Sequence, residues 1–454
     1  MKIASTYKAV RQRAALLFII ITALCTGHTA SAENTKQAEA VTVFTNVRVF
    51  DGKGGPLSAP TNVIVRGQMI ERIGDATGIL PVADRVIEGG GRTLMPGMID
   101  VHTHLLYTVV PLSTILTGDL GYLNVAATKA AREMLMRGFT SVRDVGGPVF
   151  GLKRGIDSGL VSGPRIWPSG LSISQTGGHG DFRLPNEIAA DAHSHAELLG
   201  AVADSAEEVQ QTVRQQLALG ASQIKLMAGG GVSSSYDPLD VTQYSPEEMR
   251  AAVEAARNWG TYVTVHAYTP AAIRQAVEAG VKSVEHGHLI DEPTAKLMSE
   301  RGTWIILQAF FDDEDAVPFP PNSPSRVKQL VMIKGTDNAY TLAKRHGVKV
   351  AWGSDTLFDQ RLATRQGAQL IKLSRWFTPS DVLKIVTGDN AKLLAMSGMR
   401  SPYAGRLGII EAGALADLLL VDGDPTRDLS LIADPERNLL VIMKDGVIYK
   451  DKTP

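Results

Sequence analysis

The 454-residue sequence predicts an α/β fold, a (β/α)8 TIM barrel carrying a small β-sandwich domain built from both chain ends. Three observations predict it. Eight short apolar, β-branched runs punctuate the middle of the chain. Stretches of helical period separate most of them. Hairpin-patterned strands occupy the two ends. The composition, 44% hydrophobic and 20% charged, suits one large domain plus a smaller one. The formal net charge is −1, and no basic block points to nucleic acid.

The elements follow in order. Lys2, Lys8, Arg11 and Arg13 precede an apolar run over 14–24, and Ala30-Ser31-Ala32 is a small-x-small cleavage site. This reads as a secretory signal peptide over 1–32, and the run is shorter than the roughly 20 residues a spanning helix needs. Leu24 before Cys25 argues against lipoprotein processing. Cleavage after Ala32 removes four positive charges and no acid, taking the formal charge from −1 to −5. It also removes the single cysteine, so a metal site in the mature chain must use His and carboxylate ligands. A periplasmic or secreted bacterial protein without a stable membrane anchor is expected.

Residues 33–95 form the first part of the β domain, with a hairpin over 63–70 turning at Gly67. The barrel is expected over 96–396. Its strand-like runs lie at 97–101, 140–145, 165–168, 223–227, 262–267, 282–285, 304–309 and 349–353. Helical stretches lie at 125–137, 207–219, 247–258 and 271–279. Ser245-Pro246-Glu247-Glu248 and Ser380-Asp381 read as helix starts, and Gly138, Gly260 and Gly280 as stops. Residues 397–454 complete the β domain, with a strand over 416–421 and a hairpin around Asp445-Gly446.

In such a barrel, chemistry sits at the C-terminal ends of the strands. The first run ends in His102-Thr103-His104. Alternation on a strand sends both imidazoles to one side, with Asp100 beside them, where they can share one metal ion. The fourth run carries Lys225, the fifth ends at His266, the sixth gives Glu285-His286-Gly287-His288, and the eighth leads to Asp355. Five of the ten histidines stand at strand ends, which chance placement explains poorly.

These motifs resemble the amidohydrolase superfamily over nearly the whole mature chain, from "VFDGKGG" and "PGMIDVHTH" to "GIIEAGALADLLLVDGDP". "SQTGGHGD", "IKLMAGGGVSSSYDP" and "SVEHGH" are similar to the imidazolonepropionase-related branch, which includes prolidase-type dipeptidases and ochratoxin A-hydrolysing amidohydrolases. The resemblance implies two divalent metals. His102, His104 and Asp355 would hold the first, His266 and His286 the second, and Lys225, carboxylated by CO2, would bridge them. Zinc suits these ligands best, and Mn2+ or Co2+ also fit. Such a pair activates water near neutral pH, and Asp355 would relay its proton to the leaving amine. A homo-oligomer, up to an octamer, is also implied.

Other residues have two readings each. His179, in a long loop after the third strand, either holds the substrate carbonyl or is a solvent-facing loop histidine. His288 and Tyr236 are candidate substrate contacts, with Arg183 a further anchor for a carboxylate. Phe182, Phe310, Phe311 and Phe319 would shelter an apolar group, the segment after the seventh strand being either a lid or a rigid surface loop. Gly229-Gly230-Gly231 lacks the ending of a phosphate-binding loop and reads as backbone room beside the metals. His193, His195 and His346 read as structural.

The expected activity is hydrolysis of the amide bond of dipeptides or N-acyl amino acids with a free carboxylate, including ochratoxin A to ochratoxin α and phenylalanine. The alternative is a mononuclear cyclic amidohydrolase or deaminase. No glutamate near His266-Ala267-Tyr268-Thr269 can act as a deaminase's proton shuttle, and one metal would leave Lys225 without a bridging task. A non-catalytic binding protein is a third class, disfavoured by the complete ligand set.

Overall fold

The computed structural model describes residues 39–75, 80–190, 198–234 and 236–453. The expected leader, and His193 and His195, lie outside the described residues. Residues from Ala40 onward form one compact unit.

The eight barrel strands are β1 (Met98–Thr103), β2 (Phe139–Asp144), β3 (Arg165–Pro168), β4 (Ile224–Met227), β5 (Val263–Ala267), β6 (Ser283–His286), β7 (Trp304–Ile306) and β8 (Lys349–Ala351). All neighbouring pairs are parallel: β1–β2–β3 form one run and β4 through β8 another. Backbone bonds close the gaps. Ser222 N donates to Pro168 O at 2.7 Å between β3 and β4, and Asp355 N donates to His102 O at 2.9 Å between β8 and β1. Two short extra strands, Ser172–Ser174 and Gly200–Val202, extend the sheet beside β4.

Alternation explains the barrel's two faces. Ile224 and Leu226 of β4 pack with Val213, Leu217 and Met249 of the flanking helices. Lys225 and Met227 point the other way and line the central cavity. In β5, Val263, Val265 and Ala267 take the helix side, while His266, and Tyr268 just past the strand, line the cavity.

The helices begin and end for local reasons. Ser245 and Glu248 form a reciprocal capping box before Pro246–Asn258. Gly138, Gly260 and Gly280 all have positive φ, as a glycine stop requires. The start expected at Ser380-Asp381 lies slightly earlier, because the Thr378 side chain caps the amide of Asp381 and Pro379 opens the helix.

Both chain ends meet in one sheet. In order it runs Val447–Asp451, Leu439–Lys444, Leu418–Val421, Thr93–Pro96, Val41–Val49, Thr61–Arg66 and Met69–Asp75, and Arg85–Glu88 pairs with Val41–Val49. A bulge in Val41–Val49 between Phe44 and Val47 turns the sheet, so Val63 and Val65 share a core with Leu418, Leu420 and Val441. The Asp445-Gly446 turn has φ of 56° and 70°, the positive pair that a tight hairpin needs.

Candidate active site

β1 carries His102 and leads directly to His104, and the segment after β8 carries Asp355. Their ligand atoms lie within 4.8 Å of one another. Asp355 Oδ1 is 3.1 Å from His102 Nε2 and 3.6 Å from His104 Nε2. Asp355 holds φ at 50°, a left-handed backbone unusual for a non-glycine residue, fixed in part by the hydrogen bond its N–H donates to His102 O. This cluster is a possible His/Asp metal site.

Asp100 does not join it. The register of β1 against β2 shifts between Asp100 and Thr103, which breaks the expected alternation. The Asp100 carboxylate accepts from the amides of His102 and Ser354 and from Gln366 Nε2, tying β1 to β8 and to the outer helices.

His266 and His286 stand opposite, with ring centroids 4.6 Å apart, and the His286 ring is 5.0 Å from that of His102. Lys225, 2% exposed, lines the same cavity and makes no hydrogen bond or ion pair among the described residues. Burial lowers its pKa to about 8, so the neutral amine is far more accessible near neutral pH than for an exposed lysine, although the ammonium still predominates at pH 7.

Each of the four imidazoles has one nitrogen committed elsewhere. His102 Nδ1 meets Glu285 Oε2 at 2.7 Å, His104 Nδ1 meets Gly146 O at 3.1 Å, His266 Nε2 meets Gly230 O at 3.2 Å, and His286 Nδ1 meets Gln308 Oε1 at 2.9 Å. An acceptor behind one ring nitrogen favours the N–H there and turns the other nitrogen to the site, the arrangement of metal-ligating histidines; on His102 that second nitrogen meets Asp355. The donor set therefore fits divalent cations.

Sequence reasoning missed the pair Glu285 and Arg143. Glu285 is fully buried and accepts from Arg143 Nη2 at 2.6 Å and from the Thr264 hydroxyl. Burial would raise its pKa, but Arg143 and His102 outweigh that and hold it well below the usual range. Glu285 precedes His286, so strict alternation would send them to opposite faces. His286 has φ of 75°, and this left-handed turn brings both inward. Tyr268 was also missed. It lines the cavity, its ring lies 5.0 Å from both His266 and His286, and its hydroxyl makes no hydrogen bond to a described residue. Its position two residues after His266 was the available signal.

The cavity above these groups has a volume of about 410 Å³. His179 lines it, stacked on His266 at 3.9 Å, with Nδ1 2.8 Å from Ser234 Oγ. Burial lowers its pKa to about 4, so the imidazole is neutral. The glycines beside it supply room: a Cβ on Gly231 would stand 1.8 Å from His179 Nδ1, and one on Gly230 would stand 1.8 Å from Pro238 O.

Phe182, Phe310, Phe311 and Phe319 all line the cavity, as expected. The segment after β7 is a wall of that cavity, and it is pinned. Asp312 pairs with Arg326 at 2.6 Å, Asp313 and Asp315 with Lys372 at 2.7 and 2.6 Å, and Glu314 and Asp315 with Arg365.

Two expected substrate contacts are corrected. Tyr236 is exposed, lies outside the cavity, and donates its hydroxyl to Arg183 O at 2.6 Å. His288 is fully buried behind the cavity wall, its Nε2 at 2.9 Å from Gln308 O and its ring stacked on Phe310 at 5.4 Å. The left-handed residues His286 and Gly287 break the alternation that would have carried His288 to the side of His286. Arg183 does not line the cavity either and binds Asp181 at 2.8 Å. His346 lies away from the site, 3.4 Å from Glu292.

The barrel gathers strand-end histidines, a buried lysine and a possible His/Asp metal site around one cavity. The amidohydrolase family model matches residues 93–449, and the chain belongs to that family. It is accordingly a hydrolase acting on C–N bonds. The chain is similar to the ochratoxinase of Aspergillus niger, 29% identical over 444 residues that cover 92% of this chain and 88% of the relative. The crystal structure of that protein superposes with a TM-score of 0.79 at 26% identity, covering 91% of this chain and 96% of that one. A prolidase complexed with N-methylphosphonate-L-proline superposes with a TM-score of 0.82 at 35% identity, covering 91% and 100%. An imidazolonepropionase of Methylobacterium nodulans is 26% identical over 370 residues, 76% of this chain and 83% of the relative.

Proposed function

We propose that the protein is a binuclear metal-dependent amidohydrolase that cleaves dipeptides or N-acyl amino acids with a free carboxylate. One observation carries the reading. Four imidazoles, each with one nitrogen committed to an oxygen behind it and the other turned to the cavity or to Asp355, share that cavity with a buried lysine that has no partner among the described residues. His102, His104 and Asp355 would hold the first ion, and His266 and His286 the second. With its pKa lowered to about 8, Lys225 offers a substantial share of the neutral amine that adds CO2, and its carbamate would supply the bridging oxygens. Two divalent cations held there, zinc by ligand type, would lower the pKa of a water and polarise the scissile carbonyl.

The chain's own groups do the rest. Asp355 takes the proton of the attacking water and returns it to the leaving amine. With its Nδ1 accepting from the Ser234 hydroxyl at 2.8 Å, neutral His179 carries its proton on Nε2 and donates it to the substrate carbonyl. The Tyr268 hydroxyl, which makes no hydrogen bond to a described residue, gives a second neutral donor. The phenylalanine wall shelters an aromatic or apolar side chain.

Two relatives support the substrate class. One is an ochratoxinase, and the other, a prolidase, holds an amino acid whose nitrogen carries a tetrahedral phosphorus. The test is turnover by metal-loaded protein on N-acyl amino acids, dipeptides and ochratoxin A, each compared with its C-terminal amide. A strong preference for the free acid is expected. Equal rates, or turnover confined to cyclic amides or amino-heterocycles, would overturn the reading.

A further inference from the structure

The four imidazoles are not backed alike. His104, His266 and His286 rest on neutral oxygens: Gly146 O, Gly230 O and Gln308 Oε1. His102 rests on a carboxylate, Glu285, at 2.7 Å. That carboxylate is buried, and three donors hold it in place: the His102 ring, the Arg143 guanidinium and the Thr264 hydroxyl. Arg143 is fixed in turn, Nε to Val101 O at 2.6 Å and Nη1 to the Tyr262 hydroxyl at 3.1 Å. The acceptor side of a buried ion pair therefore faces one imidazole of the four.

A carboxylate behind an imidazole makes the opposite nitrogen a stronger donor to a cation. The His102 and His104 position also has Asp355 Oδ1 at 3.1 Å from His102 Nε2, whereas the nearest approach of Asp355 to His286 is 3.9 Å. We propose that Glu285, clamped by Arg143, makes the two cation positions unequal: the one at His102 and His104 fills first and empties last, and the one at His266 and His286 is the labile one. Glu285 is a positioning residue, acting through His102. The inference rests on the binuclear reading above.

The experiment is a chelator titration of zinc-loaded protein, followed by elemental analysis, with the cobalt-substituted protein followed by its visible absorption. Two release steps at least about tenfold apart in chelator concentration are expected. Glu285→Gln should weaken the tighter step by about 10–100-fold and leave the looser one in place. Gln308→Ala, which removes the neutral support of His286, should move only the looser step. Glu285→Gln leaves Arg143 buried without its counter-charge, so circular dichroism checks its fold. Thr264→Val, which takes one hydrogen bond from Glu285 at constant charge, should shift the same tight step by less.

Release of both ions in one step from the wild type would overturn the inference and leave the binuclear reading standing. So would a tight step untouched by either Glu285→Gln or Thr264→Val. A chain that retains no more than one ion would overturn both.

Discussion

The floor of the cavity and its wall are built on different principles. On the floor, strand-end side chains are fixed twice, by the parallel ladder and by a bond on the far side of each imidazole. The wall over 310–319 contains no strand or helix and is held by ion pairs from Asp312, Asp313, Glu314 and Asp315 to Arg326, Arg365 and Lys372. Reacting groups need placement to a fraction of an ångström, and rigid elements supply it. Apolar contact tolerates more movement, and a pinned loop suffices. Damage to the floor should therefore fall on kcat, and damage to the wall on KM.

The largest effect is expected at Asp355. Asp355→Asn should lower kcat on the order of 10²–10⁴-fold, the scale of a lost proton carrier. Metal content must be measured alongside, since the residue also touches the first ligand pair. Near-native rates at full metal content would break the assignment.

Lys225→Ala comes next. Turnover should drop on the order of 100-fold and recover in part with added short carboxylic acids. Wild-type protein grown on 13C-bicarbonate should show a carbamate carbon signal that the variant lacks. Full activity without additive would remove the bridge.

Phe319→Ala probes the wall. Losing a sheltered aromatic surface should raise KM about tenfold for substrates with an aromatic side chain, with kcat within about twofold. A matching fall in kcat would mean that the wall also aligns the scissile bond, and the contrast between floor and wall would fail.

Outside both regions, Tyr236→Phe should change neither constant by more than about twofold, because its hydroxyl is spent on Arg183 O. A larger shift on the free-acid substrates would return Tyr236 to the site.

The barrel and the placement of His102, His104, Lys225, His266 and His286 on one cavity were legible because alternation and strand-end placement decide them. Lys225 faces inward because Ile224 and Leu226 must face the helices. Where the backbone leaves the strand geometry, the pattern stops informing. The bulge between Asp100 and Thr103 separates Asp100 from its histidines, and the left-handed His286 turns Glu285 and itself to one side. Loop residues are harder still. Tyr236 and His288 have the right chemistry, yet each found a nearer carbonyl. Glu285 and Arg143 are long-range partners, 142 residues apart, and no local spacing joins them.

The sheet shared by the chain ends bears on how the molecule is made. Strand Thr93–Pro96 lies between Val41–Val49, synthesised early, and Leu418–Val421, synthesised near the end. Until the ribosome has released those last residues, one edge of Thr93–Pro96 stands open, directly before the strand that carries His102. Closing it brings together segments more than 300 residues apart, so the loop-closure cost falls late and the nascent chain spends its synthesis time with an unpaired edge. A nonsense mutation or a protease cut ahead of Leu418 would cost more than a tail: it would strip the strand that seals the sheet leading into β1.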